Sequence, residues 1–152
     1  MNLRNYTSSV PVEVSTGHID KMLVRAGATH IARFYRDGKL GGILFQLTAN
    51  GQSLTFRLPA KVDRVRDVLQ AECKKPRAGT MTRIAEQAER TAWRLVDDWV
   101  SIQLSMIQLE QAEAVEIFFP YLYDGKRDQT LFERMRDEGF KQLVAARTSK
   151  EE

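Results

Sequence analysis

Residues Ala92–Leu109 read AWRLVDDWVSIQLSMIQL, with no glycine or proline among them. They sit in a longer stretch, Met81–Leu122, that is free of glycine and meets its first proline at Pro120. The run predicts a helix too apolar for an ordinary surface position. Ala92, Val96, Trp99, Met106 and Leu109 fall on one helical face; Trp93, Val100, Leu104 and Ile107 fall on another. A helix apolar on two faces must be covered on two sides, by the rest of its chain or by a second copy.

Upstream, His30–Arg36, Leu40–Thr48 and Ser53–Leu58 are β-prone runs joined by Asp37-Gly38 and Asn50-Gly51. Both dipeptides suit two-residue hairpin turns, so the three runs predict an antiparallel meander. Alternation assigns Ile31, Phe34 or Tyr35, Ile43, Phe45, Leu47, Leu54, Phe56 and Leu58 to its apolar face and turns Arg33, Arg36, Gln46 and Arg57 elsewhere. Ahead of the meander, Tyr6–Val14 alternates weakly and contains Pro11, which allows an edge strand at most. A short helix, His18–Arg25, is expected after a cap at Ser15 or Thr16 and before a stop at Gly27.

Beyond Pro59, Lys61–Cys73 has helical spacing through Val62, Val65, Val68 and Leu69, and Lys74–Gly79 has loop composition. The long helical region is expected to end near Phe118–Phe119, with a turn at Asp124-Gly125. A last amphipathic helix, Thr130–Val144, presents Leu131, Phe132, Met135, Phe140 and Leu143; residues 146–152 are expected to be a frayed tail. The order implies an α+β fold in a single domain over residues 1–145. A three-stranded antiparallel meander, with an optional N-terminal edge strand, would pack against a long central helix accompanied by shorter helices.

The 152 residues suffice for a core without disulfides. One cysteine, Cys73, excludes an intramolecular disulfide framework and any multi-cysteine metal site, and suits a reducing compartment. No positive start precedes a long apolar run, so nothing reads as a signal peptide. Asp97, Asp98, Gln103, Gln108 and Glu110 interrupt the apolar region and exclude a membrane span. A cytoplasmic protein without membrane contact is the expectation. Net charge is +3, unevenly spread: residues 1–60 carry seven Lys/Arg against three Asp/Glu, residues 61–96 nine against five, and residues 97–125 none against six. Such asymmetry speaks of partners. Either the basic part meets nucleic acid, a nucleotide or an acidic protein, or the acidic helix face pairs with it internally.

No catalytic motif stands out. Asp97 and Asp98 are neighbours and point about 100° apart on a helix, so they are not expected to share a site. Glu110, Glu113 and Glu116 recur along one face without a matching histidine and read as a solvated face. His18 and His30 lie on different elements, neither with a local partner to tune it. Cys73 stands beside Lys74-Lys75, but Cys–His catalysis would need His18 or His30 delivered by the fold. Ser8-Ser9 lack a nucleophile elbow, and Gly41-Gly42 and Gly79 form no phosphate-loop pattern. A non-enzyme with no metal and no cofactor is expected.

Binding is better supported. Lys74, Lys75, Arg77 and Arg83 crowd a loop running into a helix N-terminus, where unpaired N–H groups favour phosphate. Arg90 and Arg94 continue the positive character along one helical stripe. On the meander, Arg33, Tyr35, Arg36 and Arg57 offer cations beside an aromatic ring, the mixture single-strand binders use. No RNP, KH or helix-turn-helix signature appears. Trp93, Val100, Leu104, Ile107, Phe118 and Phe119 exceed what a small sheet obviously covers and form the expected homo-oligomer interface.

The segments RNYTSSVPV (4–12), GATHIARFY (27–35), FRLP (56–59), WRLVDDWVSIQ (93–103) and FFPYL (118–122) together resemble a family of small proteins encoded by bacteriophages and prophages. The W-x-x-x-x-D-W-V element is the most distinctive part. The family has no assigned activity, so the resemblance implies a phage-type context and carries over no site residue. Two functions fit that setting. The first is binding of nucleic acid, single-stranded in preference, or another polyanion through the basic loop and helix. The alternative is inhibition of a host defence, by contact with a host protein or by sequestering a nucleotide in an oligomer.

Overall fold

A computed structural model describes residues 3–148. The fold is α+β, with a three-stranded antiparallel sheet and one long helix among shorter ones. By its internal contacts the chain forms two compact units: the segment up to Gly27 with Pro59–Gln111, and Ala28–Leu58 with the chain from Ala112 onward.

The first unit is helical. α1 (Val12–Arg25) and α2 (Val62–Glu72) pack along α3 (Thr80–Gln108). α1 starts six residues before the expected His18 because Pro11, with φ −59°, serves as its N-cap and its carbonyl accepts from Val14 and Ser15. Ser15 and Thr16 therefore lie inside the helix, where the Thr16 hydroxyl donates to the Val12 carbonyl at 2.9 Å. The edge strand allowed for Tyr6–Val14 does not form. Asn5 adopts a positive φ of 62°, and the Asn5 and Ser8 carbonyls accept hydrogen bonds from α3 side chains in place of a strand ladder. Gly27, with φ 102°, follows the helix end at Ala26 as expected.

The buried stripe of α3 comprises Ala88, Thr91, Ala92, Trp93, Val96, Asp97, Val100 and Leu104. Against it α1 sets Ile19, Met22 and Leu23, all buried. α3 stops at Gln108, ten residues before the expected end. There Glu110 takes a φ of 55°, its N–H donates to the Ile107 carbonyl, and the Gln111 N–H donates to the Met106 carbonyl at 2.8 Å. This is a Schellman cap with a non-glycine residue in the left-handed position, so no glycine marks it in the sequence.

The second unit holds the meander β1 (His30–Arg36), β2 (Lys39–Ala49) and β3 (Gln52–Arg57), in that spatial order. Asp37-Gly38 and Asn50-Gly51 all have positive φ, between 51° and 75°, the type I′ geometry that matches strand twist. Ile43, Phe45, Leu47, Phe56 and Leu58 are buried as alternation requires. The register shifts between Phe34 and Tyr35, which decides the open choice there. Phe34 lies over Gly41 and Gly42, where an added Cβ would overlap its ring, while Tyr35 stays exposed.

The sheet is covered by the C-terminal segment: α4 (Ala114–Phe118), a 3-10 turn (Phe119–Tyr121), the short hairpin β4 (Tyr123–Asp124) and β5 (Gln129–Thr130), and α5 (Leu131–Asp137). Phe118 meets Phe45 edge-on at 5.0 Å, and Phe45 stacks on Phe56 at 5.3 Å. Phe56 also bridges to Leu122. The expected Thr130–Val144 helix is broken in two. Thr130 and Glu133 form a capping box at the start of α5, and Gly139 and Phe140, both with positive φ, separate it from α6 (Lys141–Thr148). Residues 146–148 continue α6; the rest of the expected frayed tail, 149–152, lies outside the described residues. Among the described residues no helix is long and apolar enough to cross a membrane.

Trp93 is 1% exposed, whereas Trp99 is only half-buried. Trp93→Ala is therefore expected to cost about 3–5 kcal/mol in urea denaturation, and Trp99→Ala clearly less. Equal losses would contradict this packing.

Candidate functional site

Six of the ten expected binding residues belong to the helical unit, and the structure divides them. α2 ends at Glu72, Cys73 is extended with ψ 106°, and the loop from Lys74 leads to Gly79, which caps α3 with a φ of 79°. The Thr80 hydroxyl accepts from the Arg77 N–H at 2.9 Å and holds the loop's last turn. Lys74, Lys75, Arg77 and Arg83 are all exposed around this junction. Residues 61–83 carry seven Lys/Arg against three Asp/Glu. The first turn of α3 contains no acidic residue, and Gly79 offers no side chain to its N–H groups.

Arg90 and Arg94 turn inward. Arg90 donates to the Ser8 carbonyl at 3.2 Å and to Gln87 Oε1 at 2.8 Å. Gln87 also donates to the Ser8 carbonyl, and the Thr91 hydroxyl donates to the Asn5 carbonyl at 2.9 Å. Arg94 reaches Asp97 Oδ2 at 2.9 Å and Asp98 Oδ1 at 3.7 Å. The two aspartates therefore do meet a common group, contrary to expectation, because the Arg94 guanidinium is wide enough to span them.

Asp97 was not singled out as a site by its spacing, yet it is the least exposed charged side chain of this cluster, at 2%. Its Oδ1 lies 2.6 Å from His18 Nδ1, and the histidine ring is 55% exposed. The signal for its burial was present: Trp93, Asp97, Val100 and Leu104 share one helical stripe. The partner, 79 positions away, was not readable. Asp98, beside it, accepts from Arg4 Nε at 2.7 Å and from Asn5 Nδ2 at 2.8 Å. Burial alone would raise the Asp98 carboxyl. The hydrogen bonds from Asn5 and Arg4, with the charges of Arg4 and Arg94, outweigh burial and hold it below the ordinary carboxylate range.

The other four expected residues lie in the sheet unit. Tyr35 and Arg36 are exposed near the β1–β2 turn, and Arg33 is half-buried. Arg57 is engaged: it pairs with Glu133 and Asp128, and its guanidinium lies 5.2 Å from the centre of the Tyr123 ring. The Tyr123 hydroxyl donates to Asp128 at 2.7 Å. That bond, then burial and the Asp128 charge, raise the phenol above its usual range against the pull of Arg57. Of the other candidates, His30 contacts the Thr29 hydroxyl at 3.2 Å, and Cys73 is half-buried at the end of α2.

The expected oligomer interface is corrected by burial. Trp93, Val100, Leu104 and Phe118 are covered within this chain, so their surface is not available to a second copy. Phe119 is exposed and Ile107 half-buried. No protein-family model, curated protein or solved structure matches the chain.

A carboxyl held low in the folded state favours folding at pH above its unfolded range, and the benefit disappears as pH falls through its folded value. Asp98→Asn is expected to lower stability at neutral pH and to flatten the loss of stability on acidification. Urea titrations at stepped pH measure both; an acid limb as steep as that of the wild type would contradict the Asp98 network.

Proposed function

We propose that this chain is a non-enzymatic polyanion-binding protein that engages single-stranded nucleic acid through the loop between α2 and α3. The observation that carries this is the start of α3. A 29-residue helix begins with no acid in its first turn, no side-chain cap, and four exposed cations, Lys74, Lys75, Arg77 and Arg83, gathered around it. Cations at a helix N-terminus oppose the helix dipole by about 0.3–1 kcal/mol each. A bound phosphate reverses that penalty, because helix N–H groups and side chains then both face an anion.

Arg90, Arg94 and Arg57 take a different role here from the one their spacing suggested. Their guanidinium groups already serve Ser8, Asp97, Asp98, Asp128 and Glu133, so they hold the scaffold and leave phosphate contact to the loop. Tyr35 and Arg36 offer an exposed ring and cation for a second contact. The Asp97–His18 contact has a sufficient structural reason, since a buried carboxylate needs partners. The phage-type context that the sequence resemblance implies is in keeping with such a role.

Fluorescence anisotropy with labelled single- and double-stranded DNA and RNA across a salt series tests the proposal. The wild type should favour single strands and bind less tightly as salt rises. Changing Lys74, Lys75 and Arg77 together to alanine should weaken binding and reduce the logarithmic salt slope by about 2, since each phosphate contact to a single strand contributes roughly 0.7. Unchanged affinity in the triple variant overturns the assignment. Absence of binding to every nucleic acid at low salt turns the reading toward a protein target.

A further inference from the structure

We infer that His18 is a phosphoryl-acceptor site, whose Nε2 takes a phosphoryl group from a reactive donor of the phosphoramidate or acyl phosphate class. The need of Asp97 for a partner accounts for one nitrogen of the ring and leaves the other without a structural task. Nδ1 lies 2.6 Å from Oδ1 of a carboxylate that is only 2% exposed, while the histidine side chain is 55% exposed. A carboxylate oxygen accepts, so the neutral ring carries its proton on Nδ1 and its lone pair on Nε2. With Nδ1 turned to a buried oxygen, the exposed edge is the one that bears this lone pair. Among the described residues nothing bonds to Nε2.

An exposed imidazole nitrogen in a fixed tautomer can ligate a metal or attack an electrophile. The first needs further donors, and among the described residues no group of three His, Cys, Asp or Glu could hold a metal ion. The second needs a counter-charge for the ring, which becomes cationic as Nε2 attacks, and Asp97 stands on Nδ1 to supply it. The surroundings select the electrophile. Arg94 Nη1 holds the other oxygen of the same carboxylate at 2.9 Å, and Arg94 Nε reaches Asp98 at 3.7 Å. Arg4 holds Asp98 through Nε at 2.7 Å, so each aspartate is covered by an arginine. The Arg4 side chain is 71% exposed, and among the described residues its terminal N–H groups are unused. Lys21, one turn along α1 from His18, is exposed as well. Guanidinium and ammonium groups suit the oxygens of a phosphoryl group and offer nothing to a neutral acyl or alkyl group.

With phosphoramidate as donor, Nε2 forms a bond to phosphorus, the donor's P–N bond breaks, and its electron pair leaves with ammonia. The ring proton stays on Nδ1 against Asp97. This modification does not rest on the polyanion reading and is tested without nucleic acid.

The full chain is treated with phosphoramidate near neutral pH, and the phosphate is located and timed by peptide mass mapping and phosphorus NMR. His30 is the control within the same molecule: it is exposed, and its Nδ1 meets only the Thr29 hydroxyl, at 3.2 Å. His18 should react on Nε2 at least about tenfold faster than His30, the factor that a charge-assisted hydrogen bond supports. In urea the two histidines should react alike. Asp97→Asn should bring His18 down to the rate of His30; should that variant not fold, the native and urea-denatured wild type decide the matter. Equal rates in the folded wild type overturn the inference, as does phosphate on Nδ1 of His18. An advantage that persists in urea, or in folded Asp97→Asn, overturns it too, because the buried carboxylate is then not its cause.

Discussion

A carboxylate placed in the apolar stripe of α3 lies at the centre of the contacts that tie α1 and the N-terminal segment to that helix. Asp97 stands between Trp93 and Val100, where ionisation is tolerated only with hydrogen-bond partners on its oxygens. His18 supplies one from α1 and Arg94 the other from α3 itself. The histidine contact lies at the rim of the face of α1 that meets α3, with Ile19, Met22 and Leu23 buried in the core. Arg94 then reaches Asp98, and Asp98 draws in Arg4 and Asn5. Gln87, Arg90 and Thr91 complete the attachment by donating to backbone carbonyls of the same N-terminal segment. One buried charge thus leads, contact by contact, to the place where the chain begins.

The same network decides which cations are left for a ligand. Internal pairing accounts for part of the charge asymmetry and leaves other cations exposed. Arg4 and Arg94 are drawn to Asp97 and Asp98, while Lys74, Lys75, Arg77 and Arg83 remain exposed at the N-terminal end of α3. Along a single helix the chain separates a cationic start, an internally paired middle and an uncharged C-terminal stretch. That separation is why the proposed polyanion contact is sought at the start of α3.

Legibility from sequence followed the locality of the cause. The meander and both hairpins were readable because Asp37-Gly38 and Asn50-Gly51 state their turn chemistry within two residues. Its core residues were readable because alternation has a fixed period. The end of α3 was not, because Glu110 adopts a left-handed conformation with no glycine to announce it. The start of α1 was misplaced because Pro11 looked like a strand-edge residue, although proline also pre-sets the backbone at a helix start. At the candidate site, the loop cations were found from composition alone. The inward turn of Arg90 depends on Ser8, far away in sequence, whereas Arg94 pairs with Asp97 and Asp98 at i+3 and i+4, a spacing the sequence does contain.

The Asp97–His18 contact is tested most directly by long-range ¹⁵N–¹H spectroscopy of the His18 ring in the intact chain. Asp97 is an acceptor, so the account predicts a proton on Nδ1, slowed in exchange by its bond to the buried carboxylate, and its loss of protection in Asp97→Asn. A neutral ring carrying its proton on Nε2, or an Nδ1 proton indifferent to Asp97→Asn, would contradict the contact that ties α1 to the buried carboxylate of α3.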